Sequence, residues 1–145
     1  MNLNKVKEQL LKNGEKIGLS VHEETSSYIS LHSEITAKDY FDNSIYCRIT
    51  IYEGGSFHMF LTFNEMERTY ENFYMINTFN AEHPWFKAYI VNLNGKDYLE
   101  LHHSALEMKD EDEVVETVGY LLTHTLGENT LKLLQPLVNG HKQSN

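Results

Sequence analysis

The chain has 145 residues, 41% hydrophobic and 23% charged, a size and balance that suit one globular domain and exclude a disordered or fibrous chain. Its formal net charge of -9, with 21 acidic against 12 basic side chains and no Lys/Arg stripe, argues against nucleic-acid binding. A single cysteine, Cys47, excludes an internal disulfide and a thiolate-built zinc site and points to a reducing compartment. The lack of a long apolar run predicts no secretory signal and no membrane span, so a cytoplasmic protein is expected.

In chain order, Leu3, Val6, Leu10 and Leu11 fall at helical spacing and stop at Asn13-Gly14, which predicts a short amphipathic helix over residues 3–13. Ile17, Leu19 and Val21 alternate with polar residues. After a turn-like stretch from Glu23 to Ser26, Ile29, Leu31 and Ile35 alternate again, which predicts two strands. A third and a fourth strand follow, with Ile45, Cys47, Ile49 and Ile51 on one side and Phe57, Met59, Leu61 and Phe63 after Gly54-Gly55. A two-residue loop would mix these faces. A three-residue loop, Glu53-Gly54-Gly55, pairs Ile51 with Phe57, Ile49 with Met59 and Cys47 with Leu61, and needs a left-handed backbone at Gly55.

From Asn64 to Asn80 the period lengthens, with Met66, Tyr70, Phe73 and Asn77 on one stripe and Thr69, Ile76 and Asn80 beside it. This predicts a helix ending before Pro84. Asn94-Gly95 predicts a two-residue hairpin turn that pairs Ile90 with Leu99, Ala88 with Leu101 and Phe86 with His103. Asp110 and Glu113 have capping-box spacing ahead of the stripe Val114, Val118, Leu121, Leu122 and Thr125, which closes at Gly127. Leu131, Leu134, Leu137 and Val138 predict a last helical segment around Pro136. The expected fold class is α+β, a single antiparallel sheet of hairpins with helices packed on one face, in the order α-β-β-β-β-α-β-β-α-α. It forms one domain over residues 1–139, with a flexible polar tail at 140–145.

No motif for chemistry emerges. His102 and His103 are neighbours on a strand and so point to opposite faces; His22, His32 and His58, with Glu100, could meet across strands in a ligand-sensing role, but nothing in their spacing requires it. Cys47 sits in an apolar set, where a thiol is a poor nucleophile, and Ser104 lacks a nucleophile elbow. The glycines fall at turns and helix ends, leaving no phosphate-binding loop. Catalytic, cofactor and metal residues are therefore not assigned, and a non-enzyme is expected.

Two surfaces are candidates for binding another protein. Tyr46, Tyr52, Phe60, Tyr89, Val91 and Tyr98 all fall opposite the core sets, on a face that is either covered by the terminal helix or used as a contact surface with a partner or in a homodimer. Asp110, Glu111, Asp112 and Glu113, with Glu116, form an acidic cluster. The helix dipole favours negative charge at that place, and a basic partner could also use it. An acidic immunity or inhibitor protein, phage-encoded ones included, that blocks a basic nuclease is the alternative function.

The order of elements, with Asn77-Thr78-Phe79-Asn80 ending the central helix ahead of Phe86-Lys87-Ala88-Tyr89-Ile90, resembles the YbjN-like family, whose fold is similar to that of type III secretion chaperones. The likeness spans roughly residues 3 to 135 in element order, and only the stretch from Ile76 to Asn80 resembles a family motif. It implies a non-enzymatic, often dimeric, chaperone-like or adaptor module that holds a client segment against its sheet and helices.

Overall fold

The computed structural model describes residues 1–138, so the predicted tail at 140–145 lies outside the described residues. The elements run α1 (Leu3–Asn13), β1 (Ser20–Glu24), β2 (Tyr28–Ile35), β3 (Ile45–Tyr52), β4 (Phe57–Glu65), α2 (Tyr70–Glu82), β5 (Lys87–Leu93), β6 (Lys96–Ala105), α3 (Glu111–Thr125) and α4 (Glu128–Leu134). All six strands join one antiparallel sheet in the order β1-β2-β3-β4-β6-β5. Fold class and element order agree with the sequence.

The β3–β4 hairpin has the register set by the three-residue loop, with Ile51 opposite Phe57, Ile49 opposite Met59 and Cys47 opposite Leu61. Gly55 has φ +95, and its position is tight as well as left-handed. A Cβ there would stand 2.7 Å from the Met108 carbonyl oxygen, because Met108 N–H bonds the Gly55 carbonyl and docks the β6–α3 loop on the hairpin. The second hairpin turns on Asn94 and Gly95, both at positive φ, and pairs Ile90 with Leu99 and Ala88 with Leu101.

Ile29, Leu31, Ile45, Cys47, Ile49, Ile51, Phe57, Met59, Leu61, Leu99 and Leu101 are fully buried on one face of the sheet. They share a single core with Val6 and Leu10 of α1, Val114, Val118 and Leu121 of α3, and Leu131 and Leu134 of α4. Asp110 caps α3 as the spacing predicted, its carboxylate accepting from Glu113 N–H at 2.9 Å. Gly127, by contrast, is the N-cap of α4 and not a left-handed C-cap of α3.

Four expectations need correction. The first strand starts later than the alternation suggested: Ile17 lies in a 3-10 turn, Leu19 is buried ahead of β1, and Val21 is exposed. The central helix begins at Tyr70, because Asn64 and Glu65 still belong to β4. Its buried residues are Ile76 and Phe79, whereas Tyr70 is 87% exposed and Phe73 is also exposed. Phe86 is buried but precedes β5, whose first pair is Lys87 with His102. The Asn80 side-chain amide reaches from α2 to β5, accepting from Ala88 N–H at 2.7 Å and donating to Ala88 C=O at 3.0 Å. Because β5 has β6 as its one strand neighbour, Asn80 occupies the hydrogen-bonding positions that an added strand would use.

Candidate functional site

The sheet face opposite the core contributes no residue to the core cluster, and α4 does not cover it. Register carries its residues across the strands in rows. His32, Arg48, Phe60, His102 and Lys87 form one row, with Ser30, Thr50, His58 and Ser104 beside it on one side and Glu34, Tyr46, Thr62, Glu100 and Tyr89 on the other. Tyr28 and Tyr52 extend the face at one end, Tyr98 and Val91 at the other.

Ring contacts organise this face. Phe60 stacks on His102 with centroids 4.4 Å apart and planes within 2°. His102 also meets His58, Nε2 to Nδ1 at 3.0 Å, a contact that needs one ring to donate and the other to accept. Burial, followed by the charge of His58, holds the His102 pKa below that of an ordinary histidine. Tyr28 and Tyr52 pack with centroids 5.6 Å apart, and Tyr52 meets His58 edge-on at 6.2 Å.

Glu100 is already engaged, accepting from Tyr89 Oη at 2.6 Å and Thr62 Oγ1 at 3.0 Å. Burial and that bond push the Tyr89 hydroxyl pKa well up. Tyr28, Arg48, Thr50, Tyr52, His58 and Phe60 line a shallow depression of about 480 Å³.

No family model and no curated protein matches this chain.

Of the aromatic residues expected on this face, Tyr46, Tyr52, Phe60, Tyr89 and Tyr98 all lie on it. Tyr52 and Phe60 flank the depression, while Tyr46 Oη meets His32 Nδ1 at 3.2 Å. Coverage of the face by the terminal helix, one of the two options open from sequence, is not what the structure shows. The histidines do not converge with Glu100: His22 and His32 pair at 4.6 Å near the β1 edge, His58 joins His102 two strands away, and Glu100 lies in the row beyond. Among the described residues no group of three or more His, Cys, Asp or Glu side chains is placed to hold a metal. His103 points the other way, its Nδ1–H donating to the Trp85 carbonyl at 2.5 Å. Cys47 is fully buried, and burial pushes its thiol up to about 12.

The acidic cluster lies away from the face and is occupied with local structure. Besides the Asp110 cap, Glu113 accepts from Lys109 N–H at 2.5 Å, Glu111 accepts from Asn2 N–H at 3.2 Å, and Asp112 lies 4.0 Å from Lys5 Nζ. These contacts tie the start of α3 to α1. The sequence did not single out Arg48 or Tyr28. Arg48 was legible in principle, since the β3–β4 register already sets it opposite Phe60.

Proposed function

We propose that the protein is a non-enzymatic, chaperone-like or adaptor module that holds another polypeptide on the open face of its sheet. The observation that carries this reading is the face itself: six strands wide, lined by Tyr, Phe and His rings, and covered by none of the described helices, which serve the opposite core. Aromatic side chains with polar tips give large contact area at low conformational cost, the composition expected of a contact surface. The acidic cluster supports an inhibitor reading less well, because its carboxylates already cap α3 and bind α1.

Quantitative capture from the native host tests the proposal, comparing the unaltered chain with the double variant Tyr52→Ser/Phe60→Ser and with Asp112→Asn. Loss of a captured partner by about tenfold or more in the first variant, at an unchanged melting temperature, and retention in the second is the expected result. Retention by the open-face variant would overturn the proposal. A homodimer through this face would show as twice the monomer mass in light scattering, reverting to the monomer mass in the same double variant.

A further inference from the structure

The two arginines of the chain are treated differently by the fold. Arg68 holds Asp97 with both arms of its fork, Nε to Oδ2 at 2.8 Å and Nη2 to Oδ1 at 3.1 Å. Arg48 is exposed near the middle of the open face, and no ion pair among the described residues uses it, although the chain carries 21 acidic side chains. Its Nε reaches the Ser30 hydroxyl at 3.4 Å. Of the carboxylates on this face, Glu100 is committed to Tyr89 and Thr62, and Glu23 to the Tyr28 hydroxyl, whose pKa that contact raises; exposed Glu34, one row away, forms no ion pair with Arg48.

We infer that the Arg48 depression recognises a carboxylate side chain on an extended polypeptide, with an aromatic or apolar neighbour of that residue lying against Tyr52 and Phe60. The inference rests on the open-face reading and adds the chemistry that is recognised. A guanidinium fork matches a planar carboxylate in shape and in charge, one positive to one negative, whereas a phosphate dianion would call for a second cation beside it. Tyr52, exposed at the rim of the same hollow, adds a hydroxyl donor. The hollow opens onto the exposed sheet face beside Tyr52 and Phe60, which leaves room for an extended ligand to run on across the strands.

The probe is the peptide acetyl-Tyr-Glu-Phe-Glu-Tyr-amide, compared with its Gln-for-Glu counterpart in NMR titrations that follow the Arg48 Nε–H and Tyr52 ring signals. The acidic peptide is expected to bind at least about tenfold tighter than the amide peptide, the worth of one charge-assisted pair. Arg48→Gln should erase that difference at an unchanged unfolding midpoint, and Arg48→Lys should restore part of it. Equal affinities for the two peptides, no shift of Arg48 Nε–H, or a difference that survives Arg48→Gln would each overturn the inference. So would phenyl phosphate displacing the acidic peptide with higher affinity than the peptide itself, since the site would then be a phosphate site. Failure here with the Tyr52→Ser/Phe60→Ser capture loss intact removes the carboxylate and leaves the open-face reading standing.

Discussion

Replacing Asn80 by alanine should loosen one edge of the sheet. The native amide makes two hydrogen bonds to the same backbone residue, accepting at 2.7 Å and donating at 3.0 Å, and it is partly buried between α2 and β5. At about 0.5–1.5 kcal/mol for each bond, Asn80→Ala should cost roughly 1–3 kcal/mol, a fall of about 1 M in the urea midpoint for a chain of this size. Native-state amide exchange should show faster exchange at Ala88 N–H than in the parent, localised to the outer side of β5. Asn80→Asp separates the two bonds: its carboxylate can accept from Ala88 N–H but meets the Ala88 carbonyl without a hydrogen. That variant should therefore be destabilised at neutral pH and recover part of the loss once its carboxyl group is protonated. A midpoint change below about 0.3 M with unaltered Ala88 exchange would refute the edge-cap reasoning.

Three further outcomes are expected. Gly55→Ala should cost about 1–2 kcal/mol from the positive φ alone and more because Met108 must move, read as a lower urea midpoint; a neutral result would mean that the β6–α3 loop does not dock on the hairpin. Gly119→Ala should stabilise by about 0.5–1 kcal/mol, since a Cβ at this mid-helix position of α3 meets open space, and a calorimetric loss of stability would contradict that geometry. His102 has a folded-state pKa below its ordinary 6.5, so the folded chain binds fewer protons there than the unfolded chain does. Its contribution is present above pH 6.5 and is lost as pH falls below that value toward the folded pKa. His102→Phe should flatten the slope of unfolding free energy against pH in that window, and an unchanged slope would count against the assignment.

The sheet was legible in the sequence where apolar residues keep strict period two and a glycine turn fixes the register, as in Ile45 to Phe63 and in the hairpin around Asn94-Gly95. The helix after β4 was not. A register irregularity between Thr62 and Glu65 ends the strand's alternation, and Met66 is buried in the connection, where its N–H bonds the Asp97 carbonyl. Joining Met66 to Tyr70 and Phe73 therefore produced a stripe that mixed a loop residue with exposed helical ones. The true contact of α2 is small, Ile76 and Phe79 against the β5 end of the sheet, too short a pattern to dominate a sliding window. The candidate face was legible as a set of outward aromatic residues, since strand parity alone places Tyr46, Tyr52, Phe60, Tyr89 and Tyr98. Whether a helix covers that face depends on tertiary packing. The isolation of Arg48 depends on where every carboxylate of the face goes, which local pattern does not encode.

The strand order has a consequence for how the chain assembles. Every adjacent pair in the sheet joins strands consecutive in sequence except β4–β6. The four-strand meander and the β5–β6 hairpin are thus two locally built pieces that meet along one seam, where residues such as Thr62 and Glu100 lie 38 positions apart. Hairpins close quickly because little chain entropy opposes them, while the seam waits for the long connection that carries α2 to come round. Two such pieces on one tether also define the favoured error: at high concentration, during folding, a hairpin can close the seam of a neighbouring copy instead of its own.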